Sequence, residues 1–253
     1  MSDIPSNQNT KPFLDVLRGK PVSTTPIWFM RQAGRYLPEY RELRAQRNGF
    51  LDMAYNPDAA CEITMQPIRR FHMDAAILFS DILVIPHALG QDLKFVPGEG
   101  PKLPPIKNSK DLAALSFKNF TNTLSPVIEA VGKIRETLIA ENYPDVALIG
   151  FAGSPWTVAC YMIEGGGSKD FWSVKSMAYK NPSMFEDLIE MLVESTAQYL
   201  INQAKAGAEA LQLFDSWSGA LDAQQFKRWC IEPTRKIVAL VKEACPDIPV
   251  IGF

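Results

Sequence analysis

The sequence has only two histidines, His72 and His87. Neither neighbours a cysteine or carboxylate at ligand spacing, so metal chemistry is poorly supplied. Its four cysteines, Cys61, Cys160, Cys230 and Cys245, form no CxxC pair and no disulfide framework. They read as reduced thiols of a cytoplasmic protein. No GxGxxG or GxxxxGK[ST] follows an apolar run, which leaves dinucleotide and P-loop binding without support. A Ser-His-Asp triad lacks its GxSxG elbow. Neither sign of charge is in excess: 26 basic against 28 acidic side chains leave a net charge of −2. That balance gives no reason to expect nucleic acid or an anionic membrane as partner. The polar start, MSDIPSNQNTKP, is unlike a signal peptide. One uncharged stretch, Val146 to Ile163, is long enough to be a membrane-span candidate. Gly150, Gly153, Ser154 and Pro155 punctuate its middle, which favours a buried strand followed by a capped helix.

What remains is an ordinary globular composition. With 47% hydrophobic and 21% charged residues there is enough apolar material for one sizeable core. Residues 1–253 are expected to form a single domain, with residues 1–11 flexible.

Short continuous apolar runs alternate with helix-start signals. Strands are expected at Pro26–Met30, Ala75–Phe79, Ala147–Phe151, Ala210–Phe214 and Val250–Phe253. They read as continuous apolar runs rather than alternating ones, Gln212 excepted, as strands buried on both faces should. Thr10 with Pro12, Asn56 with Pro57, Ser125 with Pro126 and Asn181 with Pro182 each pair a capping side chain with a first-turn proline. The helix from Asn181-Pro182 is expected to be the longest, ending near Gly207. LKFVPGEGPKL, from Leu93 to Leu103, reads as a hairpin. Strand–helix alternation implies a parallel sheet with covering helices, satisfied by a (β/α)8 barrel or a doubly wound sheet. The missing dinucleotide motif favours the barrel.

In such a barrel the chemistry lies just beyond the strand ends. Arg31 and Arg35 follow the first expected strand and precede Pro38, so they sit on a loop. They serve either a substrate's carboxylates, through paired hydrogen bonds, or neighbouring Glu39 and Glu42. Arg41, Arg44 and Arg47 read as solvated helix arginines paired with those same glutamates. Asp81 follows the second strand as a lone carboxylate between apolar residues. It is either functional or bonded to the loop backbone or an arginine. After the third strand, Ser154 and Pro155 open a helix whose N–H groups face the mouth. On it, Tyr161 is either a ligand contact or a core phenol. Asp215 and Ser216 occupy the same kind of position after the fourth strand.

PIWFMRQAGRYLPEYR and GFAGSPWTVACYMIEGGGS closely resemble the two signatures of the uroporphyrinogen decarboxylase family, with FSDIL between them and LQLFDSWSG after. The resemblance runs from about Pro12 to Phe253. It implies a (β/α)8 TIM-type barrel, of which this chain would hold the first five or so βα units. It also implies a homodimer and no metal or organic cofactor. The implied activity is decarboxylation of the four acetate side chains of uroporphyrinogen III to coproporphyrinogen III, in heme and chlorophyll synthesis. By the same resemblance Asp81 is the central acid facing the pyrrole N–H groups. The loop Arg31, Gln32, Ala33, Gly34 and Arg35 binds substrate carboxylates, and Tyr161 and Ser216 supply further contacts. The family's C-terminal histidine has no counterpart here. The chain is therefore expected to lack a C-terminal part and to be inactive alone. Two other readings stand beside this one: a cobamide-dependent methyltransferase barrel using zinc, and an inactive paralogue retaining only the fold.

Overall fold

The computed structural model describes residues 11–253. The expected capping by Thr10, and most of the stretch expected to be flexible, lie outside those residues. Helix α1 (Pro12–Leu17) begins with its proline at the first turn, and Gly19 follows at φ 72°. Lys11, just before it, is tied down: its Nζ donates to the Val146 carbonyl at 2.7 Å and to Glu209 at 2.6 Å. Helices α2 (Pro38–Ala45), α3 (Phe50–Ala54) and α4 (Pro57–Phe71) follow. The Asn56 side chain caps α4, accepting from the Ala59 N–H at 2.9 Å. His72 closes α4 with a left-handed backbone at φ 52°.

Then come β1 (Ala75–Ile77), α5 (Val84–Ala88) and an antiparallel hairpin of β2 (Lys94–Val96) and β3 (Gly100–Lys102). The hairpin is where LKFVPGEGPKL predicts it. Helix α6 (Ser109–Ala113) leads to α7 (Phe120–Ala140). Here the expectation needs correction: α7 starts well before Ser125-Pro126, and Pro126 is interior. An interior proline has no N–H for the carbonyl four residues back. That carbonyl, on Asn122, instead accepts from the Ser125 hydroxyl at 2.8 Å. Strand β4 (Ala147–Gly153) runs into α8 (Pro155–Glu164), and Gly165 ends that helix at φ 79°. The uncharged stretch is therefore a strand plus a helix, and no helix among the described residues is long and apolar enough to cross a membrane. The side chains of Ser154 and Asn181 make no cap bond, although each stands at a helix start. Helices α9 (Trp172–Lys180) and α10 (Pro182–Ala206) precede β5 (Ala210–Phe214). As expected, α10 is the longest helix and Gly207 follows it. Helices α11 (Ala223–Phe226) and α12 (Glu232–Ala244) lead to β6 (Val250–Gly252).

Among the described residues β1, β4, β5 and β6 form one parallel sheet in that order. Ala75 pairs with Ala147, Ile149 with Ala210 and Leu211 with Val250. Side chains alternate between two cores, as a period of two requires. Ala75, Ala147, Ile149 and Ala210 face Phe13 and Leu14 of α1, with Trp28 beside them. Ala76, Leu78, Leu148, Leu211 and Leu213 face the large core shared with α4, α7 and α10.

The expected strand Pro26–Met30 is not one. It runs beside the free edge of β1 and is bonded there through Asp74, whose N–H donates to the Ile27 carbonyl at 2.9 Å and whose Oδ2 accepts from the Ile27 N–H at 2.6 Å. Further along that edge the bonds go to a side chain. Gln32 Nε2 donates to the Ala75 carbonyl at 2.6 Å, and Gln32 Oε1 accepts from the Ile77 N–H at 3.3 Å. Gln203 of α10 does the same to β4 beyond the end of β1. Its carboxamide accepts from the Phe151 N–H and donates to the Phe151 carbonyl, both at 2.9 Å. Gly150 makes room for it, since a Cβ there would stand 2.6 Å from Gln203 Oε1. Edge groups of a buried strand need partners, and in both places a carboxamide supplies them.

Candidate active site

The C-terminal ends of β1, β4 and β5 converge, and the residues beyond them form the site. Asp81 lies four residues past β1. Its Oδ1 accepts from the Leu83 N–H at 2.8 Å, at the entry to α5. The loop-backbone bond foreseen for it is therefore present. Burial pushes its carboxyl up to about 6, against smaller downward pulls from that N–H and from the Arg31 charge. Behind it lie Tyr55, Tyr199 and Ser80. Burial raises both phenols, and the Asp81 charge adds to the rise. Tyr55 bonds the Nδ1 of His87, which is on α5, at 2.9 Å.

Arg31 and Arg35 are on the loop before α2, both exposed. Glu39 pairs with Arg70 at 2.9 Å, not with an arginine of its own segment. Arg41 donates to the Arg35 carbonyl at 2.8 Å. The expected pairing of Arg41, Arg44 and Arg47 with Glu39 and Glu42 is thus replaced: α4 brings Arg70 to Glu39 across tertiary space. Arg31 borders a cleft of about 490 Å³ with Ile27, Phe29, Tyr36 and Phe71. Its charge reaches Asp81 and Tyr161, whereas that of Arg35 reaches Tyr40. Ala33 and Gly34 are half-buried in the same turn, which the Leu37 N–H closes on the Gly34 carbonyl at 3.0 Å. Gln32 is 2% exposed and its carboxamide is taken up by β1. Its carbonyl accepts from the Tyr36 hydroxyl.

Tyr161, on α8, stacks on Trp217 with ring centroids 4.1 Å apart. Burial raises its phenol, the Asp81 charge raises it further, and the Arg31 charge offsets part of this. Sequence reasoning missed Trp217 and Thr157. Thr157 Oγ1 donates to Asp215 Oδ1 at 2.7 Å and accepts from the Trp217 N–H at 3.2 Å. Trp156 Nε1 donates to the Trp217 carbonyl at 3.0 Å. The DSW turn is thereby held against α8, with Ser216 exposed on its outer side. The signal for Trp217 was available: it stands three residues past a buried strand end, next to Asp215 and Ser216. Burial pushes the Asp215 carboxyl up, while the Thr157 and Cys230 side chains hold it down. Burial raises Cys160 and Cys230 too, so both are inert thiols at neutral pH.

The glycines after α8 have a packing reason. A Cβ on Gly165 would stand 3.0 Å from the Leu103 carbonyl, and one on Gly166 3.1 Å from that of Pro101. The β2–β3 hairpin therefore lies directly on this turn, and Leu103 packs with Leu83, Leu93 and Tyr161. Among the described residues no group of three or more His, Cys, Asp and Glu side chains is placed to hold a metal ion.

Arg31, Asp81 and Tyr161 are thus electrostatic neighbours, with Ser216 beside Trp217 and Arg35 further out. Residues 8–253 match the family model described as uroporphyrinogen decarboxylase. A uroporphyrinogen decarboxylase of Novosphingobium aromaticivorans is 52% identical over 242 residues, covering 96% of this chain and 69% of that protein. One of Rhodospirillum rubrum is 50% identical over 250 residues, covering 99% and 70%. A methyltransferase from Methanosarcina mazei superposes with a TM-score of 0.72 at 21% identity, covering 91% of this chain and 66% of that one. That likeness concerns the fold, which is TIM-barrel-like α/β. By family model and by sequence identity, the chain belongs to the uroporphyrinogen decarboxylase family.

Proposed function

We infer that this chain carries the substrate-binding acid and arginines of an enzyme that decarboxylates the four acetate side chains of uroporphyrinogen III to give coproporphyrinogen III in tetrapyrrole biosynthesis. The relatives that share half its residues carry that name. The observation that carries the reading is Asp81: one carboxylate, at a strand end, under the field of Arg31 and beside Tyr161.

The chemistry suits these groups without a metal or organic cofactor. A pyrrole takes a proton at a ring carbon and becomes cationic. The bond from the acetate methylene to its carboxylate breaks, and its electron pair flows into the ring. Carbon dioxide leaves and the ring is neutral, with an exocyclic methylene. That methylene takes a proton and the ring carbon releases its own, leaving a methyl group. Each acetate therefore consumes one proton. Asp81, ionised above its raised pKa, holds the pyrrole N–H groups and stabilises the cation, as preorganised charge does. Arg31 and Arg35, within the Arg31–Arg35 loop, take substrate carboxylates. Tyr161 and Ser216 contribute hydrogen-bonding hydroxyls.

The wider reading is one domain within a (β/α)8 barrel, acting as a cytoplasmic homodimer with no nucleic-acid or membrane partner. The test is anaerobic incubation with uroporphyrinogen III and separation of the oxidised products. Stepwise loss of carboxyl groups to coproporphyrin, unchanged by a zinc chelator, is the expected result. No decarboxylation by the natural full-length protein would overturn it.

A further inference from the structure

We propose that Gln32 is a positioning residue: its carboxamide takes the place of a neighbouring strand on the free edge of β1 and so fixes the arginine loop relative to Asp81. The proposal rests on the proposed function. The two ends of the amide meet two different backbone groups of β1, the Ala75 carbonyl at 2.6 Å and the Ile77 N–H at 3.3 Å. Those groups are two residues apart on one edge, the pattern a parallel neighbour strand would satisfy. Residues 26–30 meet that edge only at Asp74, where Ile27 accepts from the backbone N–H and donates its own N–H to the carboxylate. Gln32 is 2% exposed, so water cannot replace it without opening the loop.

The consequence is geometric. Arg31 is the covalent neighbour of Gln32, and Asp81 is four residues beyond Ile77. The amide therefore ties the segment that carries the guanidinium to the strand that leads to the carboxylate. The loop is folded on itself around this anchor. The Tyr36 hydroxyl donates to the Gln32 carbonyl, the Leu37 N–H to the Gly34 carbonyl, and Arg41 to the Arg35 carbonyl. With its side chain and carbonyl already engaged, Gln32 acts on a ligand through Arg31 and Arg35. A substrate bearing several carboxylates gains from arginines already held at the right spacing, because their ordering is not charged against binding.

Gln32→Leu removes both bonds and keeps the bulk. In the natural full-length protein it is expected to raise KM for uroporphyrinogen on the order of tenfold, the loss of two modest hydrogen bonds, with kcat within about threefold. The Ile77 amide should exchange with deuterium on the order of ten times faster. In an Arg31→Ala/Arg35→Ala background the same change should add almost nothing to KM, because residues acting through one another are not additive. Gln32→Glu keeps the acceptor for Ile77 and loses the donor to Ala75. It is the second variant should Gln32→Leu fail to fold, with an intermediate KM expected and Ile77 still protected. Faster Ile77 exchange with an unchanged KM would overturn the proposal and leave Gln32 purely structural. A full KM effect without the arginines would also overturn it, by making Gln32 a direct ligand contact. Failure of the wild type to decarboxylate would remove the proposed function instead, while Ile77 exchange still reports on the edge bond.

Discussion

The rings of Tyr161 and Trp217 stack at 4.1 Å with 27° between their planes, joining the helix after β4 to the turn after β5. Neither strand end determines this contact alone. Thr157 links the two by bonding both Asp215 and the Trp217 N–H, with Trp156 bonding the Trp217 carbonyl. Thr157→Val is expected to cost about 1–3 kcal/mol, because it leaves the buried Asp215 carboxylate short of a donor. The lost donor raises the Asp215 pKa further. An acid whose folded pKa lies above its unfolded one loses stability as pH rises between the two values. The melting-temperature deficit of the variant should therefore be larger at about pH 8 than at about pH 4. An equal deficit at both would show that Thr157 does not act through Asp215.

Asp81 gives a signed pH prediction for stability. Its carboxyl is raised to about 6 by burial. Below about pH 4 both folded and unfolded forms are protonated and nothing is lost. Between about 4 and 6 the unfolded chain ionises first, so folding is penalised progressively, up to ~3 kcal/mol. Asp81→Asn removes that penalty. It should melt higher than wild type near pH 8 and level with it near pH 4, as differential scanning fluorimetry across pH would record.

For activity the sign reverses. Asp81 must be ionised to hold a cationic ring, so kcat/KM should climb through about pH 6 and level off above it. Asp81→Ala and Asp81→Asn should each remove most decarboxylation, roughly a hundredfold or more, while remaining folded. Near-normal turnover in either folded variant would take Asp81 out of the mechanism.

Arg31→Ala and Arg35→Ala should weaken substrate binding more than they unfold the protein. Both are exposed, and among the described residues neither makes an ion pair. Melting temperatures should stay within a few degrees, with KM raised on the order of tenfold or more for each lost carboxylate contact. The wild-type KM should rise with salt more steeply than that of either variant. Normal saturation with a large drop in stability would make these arginines structural.

The sequence by itself determined the parts whose physics is local. Four largely apolar runs became the parallel strands; β1, β4 and β5 are buried on both faces and so have almost no polar side to show, while β6 is only half-buried. Asn56-Pro57 and Asn181-Pro182 marked helix starts, Gly207 marked an end, and the hairpin followed its Gly/Pro turn. Asp81 and Arg31 were legible as residues just past expected strands, and Tyr161 as a phenol on the helix that follows β4. Tertiary structure decided what depends on partners distant in the chain. Pro26–Met30 reads as a strand, yet Gln32 takes most of the edge bonds it would have made. Ser125-Pro126 reads as a helix start, yet a side-chain bond to Asn122 and burial of Phe120 and Leu124 carry α7 past it. Arg70 claims Glu39 because α4 packs on α2, a pairing that spacing along the sequence cannot foresee. A carboxamide standing in for a strand has the composition of any other glutamine. Only the edge it meets, 43 residues on in the chain, distinguishes it.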